Sequence, residues 1–518
     1  MQTSLFSLDK SIIPDQKVSG LHSVHSQESF RLEDQNLGMA TTDSPQGMAA
    51  AEYPLVEPNP KTALSPKRWT LLNRSQDFVE ALGYLSILWV IFTFLIDGGA
   101  NQINDLHSTL GALDRLTALV ATDLLLIQLL LIARVPWLDK LYGHDRATLT
   151  HKKLGKPVLY MIIVHFLAVV WGYAIAEGKN VIDEYFSLLN VIPDLITASI
   201  AFALMILVVV TSIKIARKKL SYEAWYLVHL FGYGSVMFAI PHQISTGIDI
   251  AGKPLAQTFW ISAYLFVALN IAWFRLLSPI VFSAGHKLQI GKVVRESSDS
   301  VSLYVNGKNL KNFNATSGQF FILRIITPTQ WWRAHPFSIS AAPTDKQIRF
   351  TIGNRGDDTE LIQHVKPGTR VILEGPYGVF TEDRRTKDHV ILIAAGIGAP
   401  PIRALAESIA AKPGDVTIIY RVRDKNDAPL VDELNQIAKK RGFYIHILEG
   451  NRRHPKSWLP KSANDNFADD RVLQTLAPKV SKADVYICGP AAFTHAVSNS
   501  LLKAGTPANQ IHAEEFAW

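Results

Sequence analysis

Apolar residues run in six blocks through the middle of the chain, near 78–96, 116–133, 157–175, 191–213, 224–246 and 256–277, with charge concentrated in the connections. Each block is close to the ~20 residues a helix needs to cross a hydrocarbon core of ~30 Å. Residues 1 to about 68 are rich in Ser, Asp, Gln, Pro and Thr without a sustained apolar period, which reads as a disordered tail. No apolar signal-peptide region follows the amino terminus. Beyond about residue 285 the pattern changes to alternating strands and turns, and from about 388 to strand–helix alternation. The expected fold is a multidomain membrane protein: a six-helix transmembrane bundle (75–280), an antiparallel β-barrel (285–383) and an α/β Rossmann-like domain (386–518).

The connections carry opposite charge character on alternate sides. Lys61, Lys67, Arg68 and Arg74 precede the first block; Arg134, Lys140, Arg146, Lys152, Lys153 and Lys156 join the second and third; Lys214, Arg217, Lys218 and Lys219 join the fourth and fifth. The positive-inside rule puts these loops, both termini and the soluble half in the cytoplasm, in an inner or plasma membrane. The net charge of +7 is explained by the same topology, so nucleic acid is not an expected partner. With a single cysteine, Cys488, the chain has no internal disulfide, no CxxCH haem attachment and no iron–sulfur ligand set.

Within the apolar blocks, four histidines stand at matched spacings: His151 and His165, 14 apart, and His229 and His242, 13 apart. At ~1.5 Å per residue each pair spans roughly 20 Å. Two helices so equipped can hold two stacked b-type haems, each iron taking one imidazole from each helix, which makes the bundle a di-haem electron wire. Fourteen steps of ~100° return to within about 40° of the starting face, whereas thirteen miss by about 140°. A distortion is therefore expected between His229 and His242, where Gly232, Gly234 and Pro241 lie. Arg115 falls at the outer end of the second block, where a guanidinium suits a haem propionate or simply snorkels to the interface. Asp123 and Gln128 lie deeper; a buried acid there pairs with a charged group, passes protons or is structural.

In the soluble half, HPFSIS (335–340) places His335, Pro336, Phe337, Ser338, Ile339 and Ser340 on a short strand, and GPYG (375–378) closes that domain on Gly375 and Gly378. VILIAAGIGAPPIRAL then runs from an apolar strand through Gly396, Gly398 and Pro401 into a helix, the context in which backbone amides receive a pyrophosphate. A later strand ends in Cys488-Gly489-Pro490, and the chain closes on EEFAW with Trp518 last.

In order, spacing and motifs, residues 75 to 518 resemble the ferric reductase and NADPH oxidase superfamily. The resemblance implies haem ligation by His151 with His229 (inner) and His165 with His242 (outer). It implies FAD held by HPFSIS, with Pro336, Phe337 and Ser338 at the isoalloxazine. A nicotinamide nucleotide would lie on the glycine turn and the Cys-Gly-Pro strand, with Trp518 over the flavin; Ser338, Cys488 and Trp518 are the implied catalytic contacts. Several positions depart from the family pattern. Ala395 and Pro400 replace a Gly and a Thr of the usual glycine turn, and Gly353 replaces a basic residue of the flavin-phosphate segment, leaving Arg355 or Thr359 for that work. Val169 stands where superoxide-generating relatives often carry a second outer histidine, whereas Arg115 matches an outer-haem arginine of those oxidases. Arg421 and Arg423, after the second strand of the nucleotide domain, are either solvated or accommodate a 2′-phosphate, favouring NADPH over NADH. The implied reaction passes electrons from NAD(P)H through FAD and both haems to a small outer acceptor, an Fe(III) chelate first and dioxygen second. Delivery to an unidentified protein partner is a further alternative.

Overall fold

The computed structural model describes residues 66–101, 103–217, 219–220, 222–463 and 467–515. The expected tail up to residue 65, and Trp518, lie outside the described residues. The membrane half consists of α1 (Pro66–Ile96), α2 (Leu106–Leu131), α3 (Pro136–Tyr142), α4 (His144–Glu177), α5 (Val181–Val191), α6 (Leu195–Ser212), α7 (Lys214–Arg217), α8 (Tyr222–Ser245), α9 (Pro254–Asn270), a π-helical turn (Ile271–Leu277) and α10 (Ser278–Gly285). Among the described residues, five helical stretches are long and apolar enough to cross a membrane; α2 qualifies only together with α3, from which it bends by 91°. The shortfall has a cause in its sequence, because every 18-residue stretch of α2 contains three charged side chains, Asp114, Arg115 and Asp123. In the five apolar windows only 11–28 % of residues are buried inside the protein. Leu85, Trp89 and Phe92 on α1, and Leu265, Phe266 and Leu269 on α9, point outwards, an apolar surface that lipid covers and water does not.

Local signals set the helix ends. Asp105 caps α2 by accepting from the Ser108 amide at 2.7 Å, and the Ser108 hydroxyl closes the reciprocal capping box. Gly178, at φ +63°, ends α4 in the left-handed conformation. Because α4 begins at His144, well before its apolar block, His151 stands on the helix itself. The most extensive helix pairings are α2 with α4 and α6 with α8, so each histidine-bearing helix packs against one partner that carries none of the four.

Six antiparallel strands follow: β1 (Gln289–Ser297), β2 (Ser300–Asn306), β3 (Phe320–Ile325), β4 (His335–Ser338), β5 (Gln347–Gly353) and, after α11 (Asp357–Ile362), β6 (Val371–Tyr377). They form two three-stranded sheets, β1-β2-β5 and β4-β3-β6, around one apolar core, joined by bridges at Ile339–Phe350 and Gln289–Arg370. The last domain runs β7 (His389–Ala395), α12 (Ala399–Ser408), β8 (Val416–Val422), α13 (Val431–Arg441), β9 (Tyr444–Glu449), α14 (Asp469–Leu476), β10 (Ala483–Gly489), α15 (Ala491–Lys503) and β11 (Ile511–Glu515). Its sheet is parallel throughout, in the order β11-β10-β7-β8-β9. Alternate residues of β7 serve the two faces, Val390, Leu392 and Ala394 against α12 and α13, Ile391 and Ile393 against α14 and α15.

Buried charge fixes the domains to one another. Arg134, between α2 and α3, pairs with Glu374 of β6, which also accepts from Tyr377 at 3.2 Å and lies 3.4 Å from Arg324. His144 stacks on Tyr377, with ring centroids 5.3 Å apart. The Lys/Arg-rich α2–α4 connection is thus the surface on which the β-domain docks. Between the two soluble domains, Arg349 of β5 clasps Glu433 of α13 in a bidentate pair at 2.7 and 2.9 Å, and Arg403 of α12 approaches the same carboxylate at 2.7 Å. Burial alone raises the Glu433 carboxyl, but the two guanidinium groups outweigh it and hold it below the usual range.

A lowered carboxyl stabilises the fold above the ordinary glutamate pKa of ~4.3 and loses that contribution as pH falls through its folded value. Glu433→Gln is expected to cost on the order of 3 kcal/mol near neutral pH, read as a lower thermal midpoint, with the deficit shrinking in acid. A deficit independent of pH would refute this.

Candidate functional site

The four histidines occupy α4 and α8, each partly buried. His151 and His229 face one another with ring centroids 6.1 Å apart, and His165 lies within electrostatic range of His242. Hydrogen bonds define which ring nitrogen is free. His151 Nδ1 meets the Gln128 carbonyl at 3.0 Å and His165 Nδ1 meets an Asp114 carboxylate oxygen at 2.7 Å; both partners accept only, so each Nδ1 carries the proton. Ser212 Oγ, 3.1 Å from His229 Nδ1, donates its one hydrogen to the Val208 carbonyl at 2.7 Å and therefore accepts from the histidine. In all three, the proton on Nδ1 leaves Nε2 with its lone pair, the form in which a neutral imidazole can act as a ligand. Two imidazoles on opposite sides of one metal at ~2 Å place their centroids roughly 6 Å apart, which the inner pair matches. His242 Nδ1 is buried without a hydrogen bond. Among the described residues no group of three or more His, Cys, Asp or Glu side chains is placed to hold a metal ion.

The helix between His229 and His242 departs from expectation. It is regular α-helix from Tyr222 to Ser245, with Pro241 inside it, and a π-helical turn stands instead at Ile271–Leu277. Gly232 and Gly234 lie against Val208 and Leu204, where an added Cβ would come within 3.9 and 3.7 Å. These are ordinary contact distances, so neither glycine is forced by the packing on α6, and neither breaks α8. Asp123 is partnered by the Ser86 hydroxyl at 2.5 Å and not by a charged group. The Arg115 fork is filled by Asp249, from the loop after α8, so a propionate there would have to share it.

Two residues escaped the sequence reading. Asp114 precedes Gln128 by 14 residues, the same interval that separates His151 from His165; a matched polar pair on the preceding helix was the available signal. Arg275, in the π-helical turn, lies within electrostatic range of both inner histidines, and no spacing marked it.

The flavin motif lies on β4. Ser338 is buried with its hydroxyl unpartnered, and Pro336 and Phe337 are half-buried beside it, a cradle with one polar atom to spare. Burial, then the charge of Arg333, pushes the His335 imidazolium down, so this ring is neutral near pH 7. Glu223, six residues before His229, lies within electrostatic range of His335, which brings β4 to the N-terminal end of α8. Ile339 and Ser340 turn inwards: Ser340 accepts from Arg349 at 3.0 Å through its hydroxyl and 2.7 Å through its carbonyl. Thr359 accepts from the Arg355 amide at 2.7 Å, shaping the turn before α11, and the Arg355 side chain is exposed. Gly375 and Gly378 have φ of +140° and +95° and pack on Phe320 and Phe321, so both glycines are required by the backbone.

The nucleotide motifs converge at the C-terminal edge between β7 and β10, where the strand order reverses. A Cβ on Gly398 would stand 2.2 Å from the Cys488 carbonyl, so glycine lets the turn touch the Cys488-Gly489-Pro490 segment. Gly396 has φ +53°, and Pro401 is buried in the first turn of α12. Cys488 is fully buried in the core, and burial, aided by Glu514, holds its thiol well above the usual range; it is a neutral packing group here. Arg421 is also consumed by structure: its guanidinium bonds the carbonyls of Trp458 (3.2 Å), Leu448 (2.9 Å) and Gly450 (2.5 Å). Of the two expected phosphate-binding arginines, Arg423 is the exposed one.

Three family models match in succession: the ferric reductase like transmembrane component over residues 117–240, an FAD-binding domain over 287–381 and an oxidoreductase NAD-binding domain over 392–499. The chain has the domain architecture of the ferric reductase and NADPH oxidase superfamily. It is a membrane protein carrying a flavin-dependent NAD(P)H oxidoreductase module. Among its relatives, the ferredoxin reductase component of 3-ketosteroid-9-alpha-monooxygenase from Mycolicibacterium smegmatis is 30% identical over 44% of the chain and 65% of that protein. Flavohemoprotein A of Dictyostelium discoideum is 23% identical over 44% of the chain and 59% of its own length. The chain thus spans less than two thirds of these curated relatives. A solved FAD/NAD-binding domain of nitric oxide dioxygenase from Vibrio cholerae matches 44% of the chain and 97% of its own at 21% identity, with a TM-score of 0.36.

Gly398→Ala is expected to displace the glycine turn at a cost of about 1–3 kcal/mol and to slow NAD(P)H-driven flavin bleaching at least tenfold with flavin content unchanged. Wild-type bleaching would refute the close-approach role.

Proposed function

We propose that this protein carries electrons across a membrane, from cytoplasmic NAD(P)H through FAD and two b-type haems to a ferric or other metal chelate on the outer face. The observation that carries the proposal is the histidine quartet, three of whose members present a free Nε2 because Nδ1 is committed to an acceptor. His151 and His229 would hold the inner haem and His165 and His242 the outer one. When bound, the flavin supplies the conversion from hydride to single electrons, and the haems supply one-electron relay.

The chain's own groups set the conditions for that chemistry. Ser338 would offer its spare hydroxyl to the flavin, and neutral His335 would sit beside it without adding charge. The Gly398–Cys488 contact would receive the nicotinamide nucleotide, with Arg423 near a 2′-phosphate and Trp518 shielding the flavin. Arg275 would balance negative charge at the inner haem. The soluble domains dock against the Lys/Arg-rich connection, which supports an electron entry on the cytoplasmic side.

Dioxygen is the second reading of the acceptor, and Arg115 is the observation that favours it. Val169, and the occupation of Arg115 by Asp249, weigh towards the metal chelate. The test is reoxidation of NADPH-reduced protein in detergent: rapid anaerobic oxidation by Fe(III) chelate with slow reaction towards dioxygen supports the proposal, and rapid superoxide release overturns it. His165→Leu is expected to remove one of two haems per chain while NADPH-driven flavin reduction persists, measured by pyridine haemochrome assay and flavin absorbance. Two haems retained in that variant would sink the ligand assignment.

A further inference from the structure

The outer partners of the four histidines are not alike. His151 donates to a peptide carbonyl, His229 to a hydroxyl, and His165 to the Asp114 carboxylate at 2.7 Å. The side chain of Asp114 is only 20 % exposed, on the face of α2 that meets the outer turn of α4, and its backbone carbonyl also lies 3.3 Å from the same Nδ1. The neighbouring cation, Arg115, spends its direct ion pair on Asp249 and acts on Asp114 only through space. A carboxylate acceptor pulls the Nδ1 proton harder than a carbonyl or a hydroxyl does and makes the ring a more basic, more imidazolate-like ligand. A more basic axial ligand favours the ferric over the ferrous state.

We propose that Asp114 is a positioning residue that fixes the His165 ring and lowers the reduction potential of the metal centre His165 ligates, so that the electron leaves from a stronger reductant than neutral partners alone would give. The inference rests on the haem reading above and deepens it: it concerns the exit site, where the driving force towards the external acceptor is set. The inner site, with a peptide carbonyl and a hydroxyl in place of the carboxylate, is untouched by this device.

The experiment is spectroelectrochemical titration of the purified full-length protein and of Asp114→Asn, which keeps the size of the side chain and removes its charge, with Asp114→Glu as the charge-retaining control. Exchanging a charged acceptor for a neutral one is expected to change the ferric/ferrous ratio about tenfold at fixed potential, equal to ~59 mV for a one-electron couple. One midpoint moves upwards in Asp114→Asn, the other stays, and Asp114→Glu remains near wild type. The low-spin ferric resonance of the affected haem shifts in the same variant, a signature that a purely structural role does not move. Two unchanged midpoints with both haems present overturn the proposal. Loss of the outer haem in Asp114→Asn overturns it as well, by assigning the carboxylate to retention and not to potential. A wild-type protein without haem contradicts the underlying functional reading itself, so the two failures are told apart by the starting spectrum.

Discussion

An imidazole N–H inside a hydrocarbon slab costs roughly 1–3 kcal/mol when left unpaired, and His151, His165 and His229 each meet an acceptor, whereas His242 Nδ1 has none. That constraint organises the membrane half of this protein. The α2 helix supplies two acceptors 14 residues apart, the Gln128 carbonyl and the Asp114 carboxylate, to two histidines 14 residues apart on antiparallel α4. Gln128 reinforces the pairing by returning a hydrogen bond from its side-chain amide to the His151 carbonyl at 3.2 Å. Ser212 of α6 accepts from His229 of α8 in the same way. The two helix pairs are thus defined by what their histidines need, and the free Nε2 atoms follow as a consequence.

The soluble domains are aligned to this bundle by buried charge. Glu374 ties the β-domain to the connection between α2 and α3, and His144 stacks on Tyr377 at the same junction. Glu433 then ties the parallel-sheet domain to the β-domain through Arg349 and Arg403. Removing either partner of such a pair leaves an uncompensated buried charge, so these contacts specify relative placement more than they add stability. On the proposed reading, electrons would pass from a nucleotide at the Gly398–Cys488 contact through a flavin on β4 towards the N-terminal end of α8, whose Glu223 lies within electrostatic range of His335.

Much of this was legible in the sequence because period and spacing are properties of the chain. The apolar blocks, the strand–turn–helix at Gly396 and the histidine intervals all needed nothing beyond residue order. What sequence left open depends on partners brought from afar. Arg421 has the composition of a phosphate ligand, and its guanidinium is spent on carbonyls from Leu448 to Trp458. Ser340 sits in the flavin motif and serves Arg349. Gly232 and Gly234 promised a break in α8, and the helix runs through both without one. Asp114 was hidden beside the more conspicuous Arg115, although its interval to Gln128 repeats that of the histidines.

Electron transfer through this bundle requires that the quartet hold two haems and that NADPH reduce them. The decisive measurement is the reduced-minus-oxidised absorption spectrum of purified, FAD-replete protein before and after anaerobic addition of NADPH, with haem quantified per chain. Two haems per chain, low-spin bis-histidine absorption and full reduction by NADPH are expected. A flavin spectrum with no Soret band, or haem that NADPH leaves oxidised, would contradict the assignment.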